Sequence, residues 1–66
     1  MQITFNGKPC ELAESTTVAE LLTQYEVTQR QVAVEVNLEL APRDRHADWM
    51  LKDGDCVEVV TLVGGG

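Results

Sequence analysis

The stretch TVAELLTQY, Thr17–Tyr25, decides the fold. Val18, Leu21, Leu22 and Tyr25 recur at the spacing of one apolar stripe on an α-helix. Thr17 followed three residues later by Glu20 is a capping-box pattern, with the cap worth ~1 kcal/mol. A helix of about two to three turns is not stable alone in water, so its stripe must lie on something. The sequence on either side has the period of a sheet.

Upstream, MQITF (Met1–Phe5) alternates, with Met1, Ile3 and Phe5 on one face and Gln2 and Thr4 on the other. Asn6-Gly7 is a strong hairpin signal, and PCEL (Pro9–Leu12) reads as a short return strand, with Pro9 at its start where no ladder N–H is needed. Downstream, Val32, Val34 and Val36 alternate with Ala33 and Glu35. Asn37 suggests a turn, and LEL (Leu38–Leu40) reads as a further short strand before Pro42. PRDRHADW (Pro42–Trp49) is polar and irregular, with room for a helical turn and Trp49 as its anchor. DGD (Asp53–Asp55) is a tight turn that lacks the ligand ladder and closing Glu of a calcium loop. CVEVVTLV (Cys56–Val63) is the last strand. Strands in runs with one helix indicate an α+β domain, with a mixed sheet of four to five strands and the helix packed on one face. A helix that follows a hairpin, with the last strand beside the first, resembles the β-grasp arrangement of ubiquitin.

At 66 residues, the chain has room for one domain of modest core, 1–63, and a flexible glycine tail, 64–66. A core of this size leaves little space for a buried catalytic cleft. Five Lys and Arg against eleven Asp and Glu give a net charge of −6, which argues against nucleic acid and suits a basic protein surface. Solubility alone is the plainer reading of that charge. No apolar run approaches the ~18 residues of a membrane span, and Met1 leads directly into a strand without a signal-like segment. The expectation is a cytoplasmic protein with Cys10 and Cys56 as free thiols used in packing. Neither Cys has a zinc spacing with the lone His46, which reads as a surface residue.

The ending, VVTLVGGG (Val59–Gly66), cannot be explained by packing. If Glu58 faces solvent, Cys56, Val60 and Leu62 share its face, while Val57, Val59, Thr61 and Val63 face the other way. One short helix cannot cover both faces, so Val60 and Leu62 form an apolar patch open to a partner. Terminal glycines are commonly frayed chain. Here they follow the last strand without a spacer, and three extended residues reach ~10 Å, enough to enter a neighbouring active site. The α-carboxylate of Gly66, with a normal pKa of ~3.5, is a poor electrophile unless another enzyme converts it to an adenylate. The chain itself has neither a phosphate-cradling loop nor a nucleophile–base pair.

These features together resemble the ThiS family, small ubiquitin-like sulfur carriers of thiamine biosynthesis. The resemblance rests on MQITFNGKP, TTVAELL, VAVEVN, Pro42–Arg43, DGD before the last strand, and the glycine terminus. It implies that Gly66 is adenylated by an E1-like, ThiF-like enzyme using ATP and Mg²⁺. The adenylate is then converted to a thiocarboxylate with sulfur from a persulfide donor. A ThiG-like thiazole synthase receives the sulfur for the thiazole ring. Gly64 and Gly65 would enter the partner's active site, Gly64 extending the usual pair, and Val60, Leu62 and Val63 would be partner contacts. On this reading the chain is not an enzyme, has no catalytic residue, and binds no cofactor or metal of its own. Carriers for molybdopterin, tRNA thiolation or cysteine synthesis would share the chemistry. A non-catalytic β-grasp adaptor and a ubiquitin-like conjugation tag are the readings of a different class.

Overall fold

The computed structural model describes residues 1–27 and 32–61. Five strands form one sheet: β1 (Gln2–Phe5), β2 (Lys8–Glu11), β3 (Val32–Val36), β4 (Glu39–Ala41) and β5 (Cys56–Thr61), in the order β2-β1-β5-β3-β4. β5 runs parallel to β1 at the centre and antiparallel to β3, and the two hairpins complete the flanks. This is the mixed β-grasp sheet expected from the element order. The helix α1 (Val18–Gln24) crosses one face.

Two hairpins set the frame. Asn6 and Gly7, at φ 50° and 82°, connect β1 to β2 with the doubly left-handed turn that matches strand twist. Asn37 and Leu38, at φ 54° and 68°, do the same for β3 and β4. Asparagine tolerates that conformation, whereas leucine is strained there, and Leu38 is 89% exposed.

The capping box forms as its spacing predicts. The Glu20 N–H donates to Thr17 Oγ1 at 3.2 Å, and the Thr17 N–H donates to Glu20 Oε1 at 2.9 Å. The polar segment after β4 satisfies more of the first-turn donors: Val18 N–H bonds the Trp49 carbonyl and Ala19 N–H the His46 carbonyl, each at 2.9 Å. Within it, Arg43–Arg45 make one 3₁₀ turn, and Trp49 packs on the core as anticipated.

The core lies between α1 and the sheet. Ile3, Cys10, Leu12, Val18, Leu21, Val34, Val36, Ala41, Leu51 and Val57 are buried in it. Two expectations need correction. Cys56 is exposed rather than packed, because it shares the outward side of β5 with Glu58. His46 is half-buried, its ring Nε2 bonded to the Ala41 carbonyl at 2.9 Å, because the segment after β4 folds back against α1. Tyr25, at the end of the stripe, remains 43% exposed. Among the described residues, no helix is long and apolar enough to cross a membrane. The domain boundary expected at residues 63–64 lies outside the described residues, as do Leu62, Val63, Gly64, Gly65 and Gly66.

Candidate functional site

The elements converge on β5, the strand that precedes the glycines in sequence. Its first residue is held by Asn37, whose N–H donates to the Cys56 carbonyl at 2.7 Å and whose Oδ1 accepts the Cys56 N–H at 2.9 Å. The Asn37 amide also donates to Asp55 Oδ1 at 2.9 Å, and Asp55 Oδ2 accepts the Lys52 N–H at 2.8 Å. Asp55 is only 8% exposed, so these bonds replace water that its carboxylate has lost. The DGD turn is tied to β1 as well: Asp53 Oδ1 accepts the Gln2 N–H and Gly54 N–H donates to the Gln2 carbonyl, both at 2.7 Å.

Further along, β1 ends before β5 does. The Asn6 N–H donates to the Val57 carbonyl at 2.8 Å, and the Asn6 side chain then accepts the Val59 N–H at 2.8 Å. A side-chain amide thus stands in for the next residue of β1. On the other flank the β3 ladder continues to the pair Val32–Thr61. β5 is therefore fixed along its length, a rigid base for whatever follows Thr61. Neither asparagine was legible as a brace. Sequence marked both as turn residues, and their reach across the sheet depends on partners 18 to 53 positions away.

The face opposite α1 carries Val60, one of the two residues expected in the apolar patch, while Leu62 lies outside the described residues. Val60 is 54% exposed and lies opposite Ala33, while Leu40 of β4 is 61% exposed and lies opposite Glu35. Val57 and Val59 face the core side, as the alternation requires. Val60 is the one proposed contact residue that falls among the described residues. Sequence reasoning missed Leu40, because the register that places it beside Glu35 is set by pairing rather than by local pattern.

On the core side, the Phe5 and Tyr25 rings pack at a 43° tilt with centroids 4.8 Å apart, and shallow surface clefts flank the pair. The Tyr25 hydroxyl lies 2.7 Å from Cys10 Sγ. That hydrogen bond, with burial and the thiol's charge adding to it, raises the phenol above its ordinary pKa of 10.0. Among the described residues, no group of three or more His, Cys, Asp or Glu is placed to hold a metal ion.

Comparison with known proteins matches this geometry. The ThiS family model covers residues 3–66. The sulfur carrier protein ThiS of Escherichia coli K12 is 35% identical over 66 residues, all of both chains. The crystal structure of the thiamine biosynthesis protein ThiS from Geobacter metallireducens superposes with a TM-score of 0.87 at 43% identity, covering all of both chains. A thiazole synthase of Paramagnetospirillum magneticum is 41% identical over 66 residues, but the chain spans only 20% of that protein. With a family model matched almost end to end and a full-length relative above 30% identity, the chain belongs to the ThiS family.

Proposed function

We propose that this protein is a sulfur carrier for thiazole formation in thiamine biosynthesis, with the Gly66 carboxylate as its working group. A carboxylate oxygen attacks the α-phosphorus of ATP on a ThiF-like enzyme, and pyrophosphate leaves. A persulfide sulfur then displaces AMP from the acyl carbon. Cleavage of the resulting acyl disulfide by a thiol of the donor leaves a thiocarboxylate on the carrier and a disulfide on the donor. The soft, nucleophilic thiocarboxylate delivers its sulfur to a ThiG-like thiazole synthase.

The observation that carries this reading is the family match running through Gly66. The fixed β5 adds a physical reason: a tail is presented reproducibly only from a strand that does not shift, and glycines, having no Cβ, can thread a narrow channel. The relatives support thiazole as the destination. Thiazole synthases of Paramagnetospirillum magneticum and Magnetococcus marinus each contain a segment resembling this whole chain, a likeness spanning 20% of each protein. The chemistry then belongs to the partners, and this chain acts as co-substrate.

The test is intact-mass spectrometry after incubation with the cognate adenylating enzyme, ATP, Mg²⁺ and a persulfide source. Replacement of one oxygen by sulfur at the C-terminus is expected, and deleting Gly65 and Gly66 should abolish it without changing the fold. An unmodified mass with an enzyme of proven activity would overturn the proposal in favour of an adaptor. Lysine-linked ladders would overturn it in favour of a conjugation tag.

A further inference from the structure

The two central strands differ in how far they run. β1 pairs with β5 only at Thr4–Cys56 and Phe5–Val57, and the chain then leaves the sheet through the Asn6-Gly7 turn, at φ 50° and 82°. β5 continues to Thr61, with β3 paired along its other edge as far as Val32–Thr61. Successive N–H groups of a strand alternate sides. The Val59 N–H therefore points to the place that β1 has vacated, while the amides of Glu58 and Val60 turn toward β3. Asn6 fills that place with its side chain. Its backbone N–H donates to the Val57 carbonyl and its Oδ1 accepts the Val59 N–H, both at 2.8 Å. Asn6 is exposed, so water can satisfy the Val59 N–H in its stead, and the bond adds little to stability. Water cannot, however, hold Val59 at a fixed distance from the end of β1.

We propose that Asn6 is a positioning residue for activation of the C-terminal glycine. By bridging from the end of β1 to Val59, it fixes the point and direction from which the chain leaves the domain toward Gly66. The proposal rests on the sulfur-carrier reading, in which the Gly66 carboxylate must reach the α-phosphorus of ATP inside another protein. A chain drawn out into a partner's channel, at most ~3.6 Å per residue, has no slack. A shift at Val59 is then carried to the reacting carboxylate instead of being absorbed, and a misplacement of ~1 Å can cost ~100-fold in rate. Asparagine suits the position because it tolerates a left-handed backbone while its short side chain reaches the neighbouring strand. Glycine would keep the turn and lose the bridge. Aspartate would keep both, since a carboxylate oxygen accepts the same N–H.

Single-turnover activation tests this, with the intact carrier limiting, the cognate adenylating enzyme in excess, and pyrophosphate release from ATP as the readout. Asn6→Gly should lower the maximal rate about tenfold or more and leave the half-saturating enzyme concentration within about twofold of the parent's. Asn6→Asp should restore the maximal rate to within about threefold. Thermal midpoints of both variants should stay within about 4 °C of the parent's, which separates aiming from folding. Amide hydrogen exchange reads the bridge itself. The Val59 amide should be protected in the parent and in Asn6→Asp and should lose that protection in Asn6→Gly, with the Glu58 and Val60 amides protected in all three. A freely exchanging Val59 amide in the parent, or an unchanged maximal rate in Asn6→Gly, overturns the proposal. So does an equal loss of rate in Asn6→Asp, or an effect confined to the half-saturating concentration, which would make Asn6 a docking contact. A Gly variant that unfolds overturns it as well, because Asn6 would then hold the domain together and not aim its tail. If Asn6→Gly reacts as the parent does while deletion of Gly65 and Gly66 still abolishes thiocarboxylate formation, the positioning proposal fails and the carrier reading stands.

Discussion

Replacing Asn37 separates two contributions that meet at one residue. In the native turn Asn37 adopts φ 54°, donates its side-chain amide to Asp55 and accepts the Cys56 N–H. Alanine removes both side-chain bonds. The loss at Asp55, a partly buried bond to a carboxylate, costs about 1.5–3 kcal/mol, whereas water can replace the bond at exposed Cys56 for a few tenths. Holding alanine in the left-handed region adds about 1 kcal/mol. The sum for Asn37→Ala is about 3–4 kcal/mol, out of roughly 3–10 kcal/mol for a domain of this size. Glycine loses the same bonds but adopts the turn freely, so Asn37→Gly should cost about 1 kcal/mol less. Urea unfolding followed by the single Trp49, which packs on the core, measures both. In melting experiments the alanine variant should fall by at least about 12 °C, at ~4–8 °C per kcal/mol. If Asn37→Ala lies within about 0.5 kcal/mol of the parent, Asn37 is not a brace for β5. If Asn37→Gly is the more damaging change, the backbone argument is wrong.

The other predictions concern the Cys10–Tyr25 contact and the role of the thiols. The single tyrosine should titrate above 10 in ultraviolet difference spectra, and Cys10→Ala should bring it down; a parent value at or below 10 refutes the contact. Because the folded pKa is the higher one, the contribution is complete below the unfolded value. It is lost as pH rises through the folded pKa, so the protein should weaken only in strong alkali. Cys56→Ser, at an exposed position, should change stability by less than about 0.5 kcal/mol, while Cys10→Ser in the core should cost about 1–3 kcal/mol. Both should still form the thiocarboxylate; loss of it in either folded variant would point to a cysteine-borne persulfide instead.

Much of the molecule is fixed locally. The stripe through Val18, Leu21 and Leu22, the Thr17–Glu20 box and the Asn6-Gly7 turn depend on neighbours a few residues apart, and all three appear as their spacing requires. The alternation along β5 likewise identifies Val60 as outward and Val57 as inward before any pairing is known. The composition of the tail, too, is a sequence property: residues without side chains cannot serve a core. What the sequence could not supply was everything that depends on which strand lies beside which. The Glu35–Glu58 pair, Leu40 beside it, and the braces from Asn6 and Asn37 to β5 exist only once the register is set. His46 shows the same limit, since a polar residue in a polar segment is half-buried only because that segment closes over the start of α1. Period and capping are short-range and readable in one dimension. Long-range pairing is selected by burial of the whole apolar set at once, and only the folded chain reports the outcome.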